Sequence, residues 1–152
     1  VTMKKYFTLP VFALSLLSVS ALTLAAEPPT ASGKADILAQ SQSSWNGKPY
    51  DHYPTERPEL TVIKLTIPAN SALPWHKHGF PNAGYVLKGQ LTLQDKDSGK
   101  SETFKQGQAF TESVGAYHRG VSGNEETILI LTYSGVKGQP TFIPAPGEKG
   151  EY

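Results

Sequence analysis

The chain has 152 residues, 14 basic against 13 acidic, a formal charge of +1, and 38% hydrophobic residues. This balance suits one globular domain, and no basic run or Lys/Arg stripe is present to track a nucleic-acid backbone, so nucleic acid is not an expected partner. There is no cysteine, which excludes disulfides, thiol chemistry and a lipid-modified cysteine anchor.

In chain order, Lys4 and Lys5 precede an apolar stretch, Tyr6 to Leu24, that ends in Ala25-Ala26 before Glu27-Pro28-Pro29. A short basic start, a greasy core and a small-residue exit are the marks of a secretory signal peptide, expected over residues 1–26. Pro10 and several serines make the same stretch a poor membrane span. Cleavage there would leave a protein of the periplasm, or a secreted one, with no membrane attachment. Without Lys4 and Lys5, 12 basic residues remain against 13 acidic, and the formal charge moves from +1 to −1. Residues 27–35 are small, polar and Pro-rich and read as a disordered lead-in. One domain is expected over 36–146, with a flexible tail at 147–152.

Within that domain, short β-branched and aromatic runs alternate with turn formers. The runs are Leu60–Ile67, Tyr85–Leu87, Gln90–Leu93 and Thr127–Tyr133. The turns include Pro68–Asn70, Lys88-Gly89, Asp97–Gly99, Gln106-Gly107 and Gly123-Asn124. Such spacing predicts an all-β sandwich or barrel. Ile37-Leu38 is expected to form the first strand.

The chemistry is concentrated in Pro68 to Gly89 and around His118. On a strand, residues i and i+2 share a face, so His76 and His78 should project together while Trp75 and Lys77 turn away. Paired imidazoles suit a borderline divalent ion, and His118 is placed to supply a third nitrogen from another hairpin. Gly99-Lys100-Ser101 is similar to the end of a phosphate-binding loop, but Gln94 stands where the first glycine is required. That reading is rejected.

Here the sequence resembles the cupin family. Its first motif runs glycine, five residues, His-x-His, three or four residues, glutamate, six residues, glycine. Asn70, His76, His78 and Gly89 match that frame, with Asn70 in place of the first glycine; asparagine tolerates positive φ best among the other residues. In the second motif Gly107, Gly115 and His118 match, with Ser113 where proline is usual. The resemblance covers residues 60–135 and implies a cupin-type jelly-roll β-barrel with His76, His78 and His118 as metal ligands. It departs at Asn82, where the family carries a glutamate ligand. Asn82 is retained as a metal or substrate contact. The implied site is then three neutral imidazoles, with a cofactor ion that iron, manganese, zinc, nickel or copper would equally satisfy.

Glu112 is a candidate substitute carboxylate, acting as a hydrogen-bond partner of the site or as a catalytic acid/base; the alternative is an ordinary exposed strand glutamate. Phe80, Tyr117 and His52 are candidates to line a substrate pocket, although aromatics near such a site more often pack the core, and His52 sits in a Pro-rich loop. Arg119, next to an inward His118, should point outward. The implied activities are those of an oxygenase- or isomerase-like enzyme acting on a small chelating molecule. A non-catalytic periplasmic module that binds or senses a metal or small ligand is the competing class. The resemblance also implies a homodimer.

Overall fold

The computed structural model describes Met3 and residues 27–150, so the expected signal peptide lies, Met3 apart, outside the described residues. Residues 27–34 are exposed and without regular structure, and a compact unit begins at Ala35. Among the described residues, that unit contains nine strands: β1 (Pro58–Ile67), β2 (His76–Lys77), β3 (Asn82–Lys88), β4 (Gln90–Asp95), β5 (Ser101–Lys105), β6 (Ala109–Thr111), β7 (His118–Ser122), β8 (Thr127–Val136) and β9 (Ile143–Pro144). No helix occurs among the described residues.

The strands form two sheets, β1-β8-β3-β6 and β5-β4-β7-β2-β9. All their pairings are antiparallel. The chain changes sheet at every connection except the β4–β5 hairpin. This is the plan of a jelly roll, here as two sheets that do not close into one ring. Because side chains alternate across a strand, each run contributes every second residue to the space between the sheets. Leu129, Leu131 and Tyr133 of β8 go inward, and Thr132 between them is exposed. They join Leu65, Ile67, Val86, Leu91, Leu93 and Phe110 in one apolar core. Gly84 of β3 lies opposite both Leu131 and Phe110, and a Cβ there would collide with the Phe110 ring. Asn70 has φ of 53°, as its place at the motif's first glycine led us to expect.

The expected strand at Ile37-Leu38 does not form. The two residues are 75% and 57% exposed and unpaired, and the first strand begins at Pro58. A two-residue apolar run offers too little alternation to hold a ladder position. The N-terminal segment is anchored further along. Trp45 enters the core, its backbone N–H donates to Thr111 O at 2.8 Å, and Thr111 Oγ1 donates to Ser43 O at 2.9 Å.

Candidate metal centre

His76 opens β2, His118 opens β7, and the two are direct cross-strand partners. His78 lies two residues past His76, on the same face, in a bridge to Val114. Its carbonyl accepts from Gly115 N–H at 2.9 Å, so the turn with positive φ at Gly115 ties the two histidine segments together. The three ring centroids are 4.7–5.0 Å apart. One nitrogen from each ring lies within 4.8 Å of the others, a grouping able to hold a metal ion. All three side chains are buried.

The backbone settles which nitrogens face the centre. His76 Nδ1 donates to Pro74 O at 2.9 Å, His118 Nδ1 to Ala116 O at 2.9 Å, and His78 Nδ1 to Thr141 O at 2.7 Å. A carbonyl oxygen only accepts, so each Nδ1 carries a hydrogen and each neutral ring keeps a lone pair on Nε2. Backbone carbonyls that hold imidazoles in this way are the usual outer support of metal-binding histidines. His118 Nε2 is buried with no hydrogen-bond partner in the protein.

Glu112, just past β6, adds a carboxylate. Its Oε2 lies 2.8 Å from His78 Nε2 and its Oε1 3.9 Å from His118 Nε2. Glu112 is therefore a buried neighbour of the imidazoles, not an exposed strand residue. Burial pushes His76 down to about 4, and the imidazoles of His118 and His78 add to the shift. His118 is lowered as well, chiefly by burial, although Glu112 opposes it. Burial by itself would raise Glu112, but His78, through charge and hydrogen bonding, with His118 and His76, holds its carboxyl down at about 2. A proton shared between His78 and Glu112 suits their 2.8 Å separation, and the three inward lone pairs are a set that could hold a divalent ion. The donor set fits such an ion.

Among the remaining candidates, Asn82 is on the inner face of β3, where its Nδ2 donates to Phe80 O at 3.3 Å and its Oδ1 is buried with no hydrogen-bond partner in the protein. Phe80 is 2% exposed, edge-on to Tyr133 at 6.5 Å, and is a core residue. Tyr117 lies beneath Lys77 and Lys96, whose Nζ atoms are 5.2 and 5.9 Å from its ring centre. It belongs to an outer cation–π cluster in which Arg119 covers Trp75 at 4.4 Å. Arg119 does point outward, as expected. His52 is exposed and lines two surface cavities of about 620 and 260 Å³, neither of which includes the three histidines. Beside the centre itself, a void of about 10 Å³ is lined by His76, Glu112, Tyr133 and leucines of both sheets. That is room for one water at most.

One part of the site had no signal in the sequence. The chain returns after β8 and pairs β9 with β2, bringing Thr141 O onto His78 and the Phe142 ring edge-on to His76 at 5.9 Å. A backbone acceptor can belong to any residue type, so no motif announces it.

No protein-family model matches the chain, and no curated protein is a significant match to it. Solved structures share its fold. The polyketide cyclase RemF from Streptomyces resistomycificus overlays with a TM-score of 0.50 at 21% identity, over 59% of this chain and 63% of RemF. A structure of the DMSP lyases RdDddP and RnDddQII overlays with a TM-score of 0.50 at 14% identity, over 57% of this chain and 44% of that one. An RmlC-like cupin from Shewanella frigidimarina gives 0.46 at 22% identity, over 53% and 69%. This chain thus spans less than two thirds of the length of RemF and less than half of the lyase chain. The architecture is an all-β jelly roll, the fold the sequence resemblance implied, and the overlays at a TM-score of 0.50 share it. Within that fold it carries a buried three-histidine group with a carboxylate beside it.

Proposed function

We propose that this protein is an exported metal-dependent enzyme of oxygenase- or isomerase-like type, acting on a small chelating substrate. The observation that carries the reading is the set of three imidazoles, each locked by a carbonyl so that Nε2 faces one point. An ion held there would supply Lewis-acid or redox chemistry. The residues of the chain orient the ion's ligands and keep bulk water out through the leucine shell. Neutral imidazoles leave most of an ion's charge to attract an oxygen donor such as an enolate, carboxylate or catecholate.

A second reading, a periplasmic module that binds or senses a metal or small ligand without turnover, is favoured by one observation. The imidazoles are only 0–3% exposed, and the adjoining void is water-sized. Protein purified from its native compartment, assayed for metal content and then for oxygen uptake or isomerisation with chelating substrates, separates the two. Retained metal with turnover supports the enzyme; retained metal without turnover supports the module. Failure to bind any divalent ion removes both.

Export is supported by the composition of residues 1–26, and N-terminal sequencing of mature protein should begin near Glu27. A homodimer is supported by the outer face of the four-stranded sheet, where Leu60 and Val62 of β1 are 79% and 69% exposed and Leu87 of β3 is 43% exposed. A two-fold copy would place these aliphatic side chains against themselves.

A further inference from the structure

We propose that Glu112 is the fourth protein ligand of the centre, so that its carboxylate arrives from the end of β6 and not from position 82 on β3. The inference rests on the metal-centre reading and specifies it.

Four observations converge on Glu112. The first is distance. Two donors at right angles on one ion, each about 2.0–2.2 Å from it, are about 3 Å apart, and Glu112 Oε2 lies 2.8 Å from His78 Nε2. The second is burial. Glu112 is 5% exposed and borders a void otherwise lined mainly by leucines, with His78 Nε2 beside its carboxyl group. The third is anchoring. Its N–H donates to Asn82 O at 3.1 Å and its carbonyl accepts from Tyr50 OH at 2.6 Å. The Trp45 N–H to Thr111 O bond pins the preceding residue. The backbone of Glu112 is thus held on both sides, as a ligand's must be if the site is to keep its shape.

The fourth is the state of Asn82. Its amide nitrogen is engaged with Phe80 O, and its Oδ1, buried without a hydrogen-bond partner, is neutral and so a weaker ligand than a carboxylate. Asn82 and Glu112 are lateral neighbours through the N–H···O bond between them, so the carboxylate has moved by one strand across the sheet. The consequence is chemical. With Glu112 bound, a divalent ion keeps one net positive charge, not two, and its pull on an anionic substrate is correspondingly weaker.

Cobalt(II) and zinc(II) are the probes. Affinity is measured by chelator competition, and the visible spectrum of the cobalt form reports the ligand set. In E112Q we expect affinity to fall by at least about tenfold and the cobalt bands to change in position and intensity. A drop in affinity with unchanged bands would mean that Glu112 acts only as a nearby charge, and would overturn the proposal. So would unchanged affinity. If E112Q does not fold, a crystal structure of zinc-loaded wild type decides: a Glu112 oxygen within about 2.2 Å of the ion is expected, and one beyond about 3 Å refutes the assignment. Wild-type protein that binds neither ion defeats the metal centre itself, a result distinct from wild type that binds while E112Q equals it.

Discussion

His76, His78 and His118 are presented as bases with no freedom to turn. Each ring is fixed at Nδ1 by a carbonyl, and two of the three acceptors lie two residues upstream of their histidine. His118→Ala should therefore raise the Kd for zinc by about 100-fold or more, with the far-ultraviolet circular dichroism of the β-fold retained. Full metal content in that variant would refute the ligand set. The same burial makes the metal-free protein acid-sensitive. His76 has a folded pKa of about 4 against an ordinary 6.5, so the unfolded chain takes up the proton first and stability falls as pH drops from 6.5 towards 4. That fall amounts to about 3 kcal/mol for His76. Glu112 acts in the same direction lower down. Its contribution is complete above its ordinary 4.5 and disappears as pH falls through about 2. Urea midpoints of the metal-free protein that are equal at pH 7 and pH 4 would contradict this picture.

At the scale of elements, the site depends on two segments that contribute little to either sheet. Residues 43–50 reach across to β6 and its flank, through Trp45 and Tyr50. The two-residue β9 lies along β2 and brings Thr141 and Phe142 to the imidazoles. Phe142→Ala removes an apolar cover but leaves the Thr141 carbonyl in place. The expected result is faster loss of bound metal to a chelator, by about tenfold, with the equilibrium fold unchanged. An unaltered stripping rate would show that Phe142 does not shield the site. The His76–His78 pair and the turn before His118 were readable because alternation and glycine turns are local signals. The cover was not, because β9 is too short to show a period.

For the whole molecule, the two faces of the four-stranded sheet differ in kind. The inner face packs against the second sheet, while the outer face exposes aliphatic residues of β1 and β3. Val62→Glu places a charge beside Leu60 on that face and should shift the proposed dimer to monomer in sedimentation velocity at micromolar concentration. A monomeric wild type would overturn the dimer. The same substitution should leave metal affinity unchanged, because Val62 projects away from the core that surrounds the histidines.

The residues alone determined the runs of β1, β3, β4 and β8, the positive φ at Asn70 and the shared face of His76 and His78, because each follows from neighbours close in the chain. They also marked His118 and Glu112 as candidates, through a family frame in one case and residue type in the other. Tertiary structure decided the rest. Only strand register brings Glu112 to within 2.8 Å of His78, and only the returning C-terminal segment sets the His78 tautomer. Contacts of this kind join positions far apart in sequence through backbone groups that every residue shares, so they leave no mark on residue order.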